Sequence, residues 1–374
     1  MEQSNKKVVW AVIVIVVLIF VWYGLSQSSN SNTIKIGYFG PLTGPVAGDT
    51  GAAVLGGVKL ALAKYPTLAG KKVEIIYEDD ACTPPKAAAA ANKLIDIDKV
   101  QILINGVCSG SMLSVAPIAE AHKVILFTAV SNSPKVSDAG DYIFRTSASA
   151  VRIGQTVSKG ISALGYTKVA VLYENAAFPV DWQTTFSETY TGAGNIITTK
   201  ESFESKATDL RTQLLKIAQT KPQAIVIVAN SSVTANIALK QMRDLKINLP
   251  VIGNEYFSVK PVVQNPDAEG VITVTYKYDA TAPAFKELID QYEKLYGTIL
   301  GEDVYIALAY DGFDVLAKAI TACAGTNPEC IKSELYKVKD FPGVSGNITI
   351  DEKGDTAREF VLKRVTGGKM VEIK

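Results

Sequence analysis

The sequence predicts an α/β protein made of two doubly wound lobes, each with a mostly parallel sheet. Short β-branched runs alternate with amphipathic stretches from Thr33 onward, which is the order of a sheet covered by helices on both faces. The same rhythm restarts after residue 148. At 374 residues the chain also exceeds the length over which one hydrophobic core usually keeps growing. We therefore expect two lobes.

The first lobe is predicted from four apolar runs and three amphipathic stretches. Its predicted strands are IKIGYF, KKVEIIYE, VQILIN and KVILFT, and its predicted helices are Thr50–Lys64, Pro85–Asp96 and Ser111–Ala121. These strands are rich in apolar residues, as is typical of parallel strands that are buried on both faces.

The second lobe repeats the pattern with more elements. Its predicted strands are KVAVLYE, NIITTKESF, AIVIVA, PVIGNE and GVITVTYKY, and its predicted helices are Val151–Leu164, Val180–Ala193, Asp209–Gln219 and Val233–Leu245. The order is again that of strands alternating with helices.

The last part of the chain departs from this alternation. Three helices without a strong strand among them are predicted at Pro283–Tyr296, Val304–Ala322 and Pro328–Val338, and we expect them to return to the first lobe. The tail SGNITIDEKGDTAREFVLKRV predicts a hairpin of the second lobe with Gly354 in its turn. Lobe 1 is thus predicted to comprise 33–148 and 282–338, and lobe 2 to comprise 149–281 and 339–374. Several crossovers would form a multi-strand hinge.

The N-terminus predicts where the protein resides. Residues 8–25 are an unbroken apolar run, long enough to be a retained transmembrane helix rather than the shorter core of a signal peptide. Lys6 and Lys7 precede the run and no charge follows it before Lys35, so residues 1–7 are predicted to be cytoplasmic and the rest extracytoplasmic. Residues 26–32 are a polar linker. A cleaved signal peptide is the alternative, with Gly24 to Ser26 near its end.

The four cysteines form two local pairs. Cys82 and Cys108 are one pair, and Cys323 and Cys330 are the other. Because the segment is predicted to lie in an oxidising compartment, we expect two disulfides. A metal site is disfavoured, since neither pair has CxxC spacing or a histidine partner.

Composition and motifs disfavour several classes of function. Lys+Arg number 38 against 37 Asp+Glu, without the basic excess of a nucleic-acid-binding protein. The one histidine, His122, excludes sites that need several histidines and is expected to be structural. The acidic group Glu78 to Asp80 is interpreted as a solvated loop or a contact between lobes. No nucleotide-binding, hydrolase or metalloprotease motif is present, so we expect no enzyme, no cofactor and no metal.

The predicted topology indicates a ligand site before any motif does. In open α/β sheets, ligands bind beyond the carboxyl ends of the strands. Two such sheets facing each other would form a cleft between the lobes, and we expect a small-molecule ligand there.

Several segments resemble one known family. They are IGYFGPLTGPVAGDTGAAVLGGVKLAL, YEDDACTPPKAAAAANKLI, NGVCSGSMLSVAPIAE, FTAVSNSP, YIFRTSAS, NEYF and DEKGD, which span nearly everything after Thr33. Together they resemble the leucine/isoleucine/valine-binding type of periplasmic binding protein, the type I two-lobed receptor of ABC importers. The resemblance implies an amino-acid ligand and supports the pairing of Cys82 with Cys108.

The resemblance implies five residues for the head group of an amino acid. Ser109 matches a carboxylate-binding serine, although it would also serve as a helix N-cap. Ala129, Val130 and Ser131 match a loop whose backbone and hydroxyl bind both charged groups, although an ordinary turn also uses SNSP. Glu255 matches the acid that pairs with the ammonium, the alternative being a solvated loop acid or a hinge salt bridge.

The side-chain pocket departs from the branched-chain pattern. Asp49 occupies a position where relatives selective for apolar ligands tend to have an aromatic wall, and Phe178, Asn230 and Tyr256 would complete the pocket. A polar or cationic ligand is therefore an alternative to a branched-chain one. Asp49 is equally interpretable as a cap of the helix that follows it. Tyr305 and Tyr310 are interpreted as core residues.

Two functions fit this set of predictions. The first is a monomeric receptor that delivers an amino acid to an ABC permease and its ATPase, with lobe closure driven by the ligand. The second is a sensory receptor for amino acids, amides or related solutes. Only residues 1–7 would lie in the cytoplasm, too few for a signalling domain, which favours the first function.

Overall fold

The structure is a computed structural model that describes residues 32–373. The predicted anchor at 8–25 and its cytoplasmic flank at 1–7 lie outside the described residues. Within residues 32–373 no helix is long and apolar enough to cross a membrane.

The first sheet has six strands. They are β1 (Thr33–Gly40), β2 (Thr67–Leu68), β3 (Lys71–Asp79), β4 (Ile102–Asn105), β5 (Ile125–Thr128) and β6 (Ile143–Arg145). Their order is β2-β3-β1-β4-β5-β6, and every pair is parallel except β2 with β3.

The second sheet has seven strands. They are β7 (Lys168–Asn175), β8 (Ile196–Glu204), β9 (Ala224–Val228), β10 (Val251–Gly253), β11 (Ile272–Tyr276), β14 (Phe360–Thr366) and β15 (Lys369–Glu372). Their order is β15-β14-β11-β10-β9-β7-β8, with β14 and β15 antiparallel to their neighbours and the other pairs parallel. A separate two-stranded ribbon consists of β12 (Phe341–Gly343) and β13 (Gly346–Ile348).

Helices cover both sheets. In chain order they are α1 (Ala52–Lys64), α2 (Pro84–Asn92), α3 (Ser109–His122), α4 (Ala150–Ala163), α5 (Ala177–Gly192), α6 (Arg211–Gln219), α7 (Ser232–Asp244), α8 (Lys260–Val263), α9 (Pro283–Tyr296), α10 (Asp303–Ala322) and α11 (Pro328–Tyr336). A wide helical turn, Ala47–Gly51, leads directly into α1.

Alternate strand residues divide the core of the first sheet between two helical layers. Leu103 and Leu126 pack in the cluster that contains the buried residues of α2 and α3. Ile104 and Phe127, one position along each strand, pack in the cluster that contains α1 and α10. Because successive strand residues point to opposite faces, this division follows from the pleat, and it makes the doubly wound arrangement that the sequence predicts.

The chain passes between the two sheets three times. It crosses between β6 and α4, between β11 and α9, and between β13 and β14. The helices α9 and α10 return to α1 of the first sheet, where Gly57 lies so close to α10 that an added Cβ would be 2.3 Å from the Ile306 carbonyl oxygen. We call the first sheet with its helices lobe 1 and the second sheet with its helices lobe 2. The segment boundaries given above for the lobes stay predictions.

The C-terminal hairpin differs from the sequence prediction. Gly354 lies in a short turn closed by a bridge between Ile350 and Thr356, and its carbonyl accepts the N–H of Arg145 at 2.9 Å, so this turn packs on β6. The hairpin that joins the second sheet is β14–β15. Both turns contain glycine at positive φ, Gly354 in the first and Gly367 and Gly368 in the second, so glycine alone does not show which hairpin joins the sheet.

Both expected disulfides are present. The Cα atoms of Cys82 and Cys108 are 5.5 Å apart, and those of Cys323 and Cys330 are 5.8 Å apart. The first bond joins the loop after β3 to the residue before α3, at the edge of the sheet where the site lies. It therefore fixes the start of α3 relative to β3.

Candidate ligand-binding cleft

Polar groups from the two lobes meet at the carboxyl ends of their strands. The loop after β5 in lobe 1 faces the loop after β10 in lobe 2. Lys135 of lobe 1 also forms an ion pair with Asp181 of α5 at 2.7 Å, and Ser133 donates to the same carboxylate. These contacts describe a cleft whose walls are closed against each other.

Glu255 is buried at the centre of this cleft. It begins a single helical turn, Glu255–Phe257, immediately after β10. Asn132 Nδ2 of lobe 1 donates to Oε1 at 3.0 Å, and Trp182 Nε1 of α5 donates to Oε2 at 3.0 Å. Burial raises the pKa of Glu255 from 4.5 to about 7, because these neutral donors compensate only part of the lost hydration. The carboxyl is thus poised to accept a cation.

The predicted loop after β5 approaches the cleft through a different residue. Ser131 is buried, and its hydroxyl lies 2.7 Å from Asn105 Oδ1 and 2.8 Å from the Val107 carbonyl, so it is engaged within lobe 1. Its neighbour Asn132 is the residue that reaches Glu255. Ala129 and Val130 are buried at the same turn. The sequence analysis predicts Ser131 as a ligand contact, with an ordinary turn as the alternative, and no signal in the sequence distinguishes Asn132.

Arg145 binds the backbone of the loop after β5. It is fully buried, and its Nε and Nη2 donate to the two carboxylate oxygens of Asp355 at 2.6 and 2.7 Å. Its Nη1 donates to the Ser133 carbonyl at 2.8 Å. A bidentate pair of this kind fixes geometry as well as charge. The segments YIFRTSAS and DEKGD carry the family resemblance but no predicted role. In the structure, Arg145 of the first segment pairs with Asp355 of the second.

Ser109 is the first residue of α3 rather than its N-cap. The N-cap is Cys108, whose side chain makes no capping hydrogen bond, so the interpretation of Ser109 as a cap is wrong by one residue. Ser109 is buried, and its Oγ lies 3.4 Å from the backbone N of Ser133. A Cβ added to Gly110 would lie 3.4 Å from Ala177 of lobe 2. The start of α3 therefore faces the other lobe with backbone N–H groups that suit an anion.

The predicted side-chain residues Phe178, Asn230 and Tyr256 all follow strands of the second sheet, β7, β9 and β10. Phe178 and Tyr256 make an edge-to-face pair with ring centroids 6.0 Å apart. The backbone N–H of Asn230 donates to Glu174 Oε2 at 3.0 Å. Glu174, at the end of β7, was not identified from the sequence because it lies inside a strand-like apolar run.

Asp49 does not cap the following helix. The helical turn begins at Ala47, so Asp49 lies inside it. Its Oδ1 accepts the N–H of Thr50 at 2.5 Å, and its Oδ2 accepts the hydroxyl of Ser232 from lobe 2 at 2.6 Å. Burial raises the pKa of Asp49, while the hydrogen bonds from Ser232 and Thr50 oppose the rise. The carboxylate thus bridges the two lobes.

A second buried glutamate was not identified from the sequence. Glu302, the residue before α10, accepts hydrogen bonds from Ser258 and Thr275 of lobe 2. Burial raises its pKa from 4.5 to about 8. Tyr305, one turn into α10, is buried near it, in agreement with its interpretation as a core residue.

The fold and the cleft together define a type I periplasmic binding protein, a class of receptor that closes two lobes over a solute. A family model described as periplasmic binding protein matches residues 33–369, and the chain belongs to this family. Proteins of this family are solute-binding receptors rather than enzymes.

Three relatives illustrate the range of the family. The leucine-, isoleucine-, valine-, threonine-, and alanine-binding protein of Pseudomonas aeruginosa is 27% identical over 339 residues, covering 88% of this chain and 89% of that protein. A leucine binding protein from Thermotoga maritima is 27% identical with a TM-score of 0.84, over 91% of this chain and 98% of the other. An ABC-transporter solute binding protein from Rhodopseudomonas palustris, in complex with 3,4-dihydroxy benzoic acid, is 25% identical with a TM-score of 0.81, over 91% and 96%. The group therefore includes receptors for different organic acids.

Proposed function

We propose that this chain captures an α-amino acid between its lobes and delivers it to an ABC importer. The observation that carries the proposal is the position of Glu255, whose buried carboxyl contacts Asn132 of lobe 1 and Trp182 of lobe 2. An ammonium group is the ligand that best compensates a buried carboxylate with only neutral donors.

The carboxylate of the amino acid would bind at the start of α3. The helix has 14 residues, its first turn lacks a side-chain cap, and Ser109 provides a hydroxyl at the same point. Backbone N–H groups and the helix dipole both favour an anion there. Ser133, whose N–H lies 3.4 Å from Ser109 Oγ, extends the donors to the loop after β5. The same loop thus contacts both groups, since Ser133 contacts Ser109 and Asn132 contacts Glu255.

Ligand capture would work by a shift of population toward the closed state. An amino acid that touches both α3 and Glu255 gains its full contacts only when the lobes are closed. Contacts between the lobes, such as the Lys135–Asp181 ion pair and the Asn132–Glu255 hydrogen bond, then stabilise the closed state further. The closed receptor is the form that we expect a permease to recognise.

The location and assembly complete the proposal. Residues 8–25 would be a single N-terminal membrane span with the lobes on the extracytoplasmic side, because the run is apolar throughout and follows two lysines. The receptor would act as a monomer beside its permease and ATPase. Membrane fractionation of the expressed full-length chain tests the span, since a cleaved and released protein would appear in the soluble fraction.

Thermal unfolding of the full-length protein tests the ligand class. A ligand of the native state raises the midpoint in proportion to ln(1 + [L]/Kd). We expect at least one of the twenty amino acids to raise it and Glu255→Gln to abolish that rise. Glu329→Gln, an exposed surface carboxylate, serves as the matched control. A rise with benzoate or 3,4-dihydroxybenzoate and with no amino acid would refute the proposal.

A further inference from the structure

Two buried carboxyls other than Glu255 contact the loop that precedes α7. Asp49 and Glu174 are each only 4% exposed. Asp49 binds Ser232, and Glu174 binds the N–H of Asn230, two residues earlier in the same loop. The two carboxyls therefore flank one loop of lobe 2, one from each lobe.

Tyr256 connects this pair to Glu255. The phenol is buried, and its pKa is raised by burial and by the negative charges of Asp49, Glu255 and Glu174. The charges of all three carboxyls therefore act on one phenol. Phe178 packs edge-to-face on the Tyr256 ring at 6.0 Å and forms the apolar wall between them.

Every hydrogen bond to these carboxyls within residues 32–373 comes from a neutral donor. The donors are the backbone N–H groups of Thr50 and Asn230, the hydroxyl of Ser232, the amide of Asn132 and the indole of Trp182. No ion pair of the described chain includes Asp49, Glu174 or Glu255. Buried carboxylates are normally paired with a cation, because their desolvation is otherwise costly.

An unpartnered polar atom lies at the same place. Thr50 is 4% exposed, and its Oγ1 has no partner at hydrogen-bonding geometry in the described part of the chain, although it lies beside the Tyr256 phenol. A buried hydroxyl of this kind normally has a partner. Beside two carboxylates, the group that would satisfy all three is a donor with several hydrogens.

We infer that Asp49, Glu174 and Thr50 form a second cation subsite, and that the ligand is an amino acid with a positively charged side chain. The inference rests on the proposed function, since it assigns the α-ammonium to Glu255. A branched-chain zwitterion brings one positive and one negative charge and leaves Asp49 and Glu174 uncompensated. Lysine, ornithine or arginine brings one more positive charge. The Phe178–Tyr256 wall suits its methylene stem and, at its edge, the cation.

The bridge from Asp49 to Ser232 does not by itself explain the carboxylate. A neutral asparagine could accept the Ser232 hydroxyl through its one amide oxygen, although it would lose the hydrogen bond from the Thr50 N–H, and it would avoid the desolvation of a charge. The substitution Asp49→Asn therefore removes charge while it retains the bridge. Ser232→Ala removes the bridge while it retains the charge of Asp49. The two variants therefore separate recognition of the ligand's charge from closure of the lobes.

The test compares L-lysine with L-norleucine, which has the same stem without the ε-ammonium, by isothermal titration calorimetry on the full-length protein. We expect lysine, ornithine or arginine to bind more tightly than norleucine by about 30-fold or more, the cost of an unpaired buried charge. Asp49→Asn should reduce that preference to within about threefold, because lysine loses more affinity than norleucine does. Ser232→Ala should weaken both ligands equally.

Two outcomes overturn the inference in distinguishable ways. Binding of norleucine or leucine that equals or exceeds that of every basic amino acid, or an equal loss for both ligands in Asp49→Asn, refutes the cation subsite and leaves the proposed function intact. Absence of binding by every amino acid in the wild-type protein refutes the proposed function and the inference together.

Discussion

Glu255 should change its protonation state when a ligand binds. Burial raises its pKa to about 7 in the closed cleft, so this carboxyl holds a proton more tightly than an exposed glutamate does. An ammonium needs the ionised carboxylate. Below pH 7 the ligand must therefore displace a proton, and binding weakens as the pH falls.

The size of the effect follows from the pKa. If the liganded carboxyl stays ionised, lowering the pH from 7 to 5 reduces affinity by about 50-fold, or about 2 kcal/mol. The groups that contact the carboxyl, Asn132 and Trp182, do not titrate in this range. Glu302 has a pKa of about 8 and stays largely protonated throughout. Because burial also raises the pKa of Asp49, the part of the slope that Glu255→Gln removes is the part that belongs to Glu255.

Isothermal titration calorimetry at pH 5, 6 and 7 measures this slope. Titrations in two buffers of different ionisation enthalpy count the protons released, and we expect close to one per ligand near pH 5 to 6. Glu255→Gln should bind weakly and without the pH dependence, while Glu302→Gln should retain it. An affinity for the wild type that is constant within about threefold from pH 5 to 7, without proton release, would refute the reasoning.

Three further predictions concern stability. Because the folded-state pKa of Glu302 is raised from 4.5 to about 8, its protonation stabilises the fold fully below pH 4.5 and this contribution is lost as the pH rises through 8. Glu302→Gln should therefore gain up to about 4 kcal/mol over wild type at pH 8 and little at pH 4.5, measured by urea unfolding. Gly57→Ala should destabilise the fold by about 2 kcal/mol or more, because its Cβ would meet the Ile306 carbonyl, whereas Gly192→Ala, with nothing within 4 Å, should be neutral or stabilising in thermal unfolding. Replacing Cys82 and Cys108 together by serine should cost about 3 kcal/mol in urea unfolding, since the bond closes a separation of 26 residues.

Each of these has a contradicting result. A stability difference between wild type and Glu302→Gln that does not change between pH 4.5 and 8 would mean that Glu302 is hydrated in solution. Equal effects at Gly57 and Gly192 would contradict the close approach of α1 and α10. An unchanged midpoint after loss of Cys82 and Cys108 would mean that the loop is held by other contacts, whereas a loss of ligand affinity with it would support a role at α3.

Local patterns predicted most of the fold. Buried parallel strands are short apolar runs, and the helices between them show a 3.6-residue period. Both kinds of element can therefore be recognised in a single sequence. The errors arose where the local pattern is ambiguous. The tail contains two turns with glycine, at Gly354 and at Gly367–Gly368, and the sequence does not say which ladder joins the sheet.

The site was predicted less completely because its contacts are long-range. Asn132 and Glu255 are separated by 123 residues, and Asp49 and Ser232 by 183. Glu255 had a family motif, whereas Asn132 is one polar residue in a turn. Glu302 resembles an ordinary residue before a helix. Only the packing of the two lobes turns these residues into buried groups with shared partners.

A crystal structure of the receptor with its bound amino acid tests the central claim most directly. We predict that the α-ammonium nitrogen lies within about 3.2 Å of a Glu255 carboxylate oxygen, and that the ligand carboxylate contacts Ser109 and the N-terminal N–H groups of α3. A ligand whose ammonium lies away from Glu255, or whose carboxylate lies at the opposite end of the cleft beside Asp49, would contradict the account.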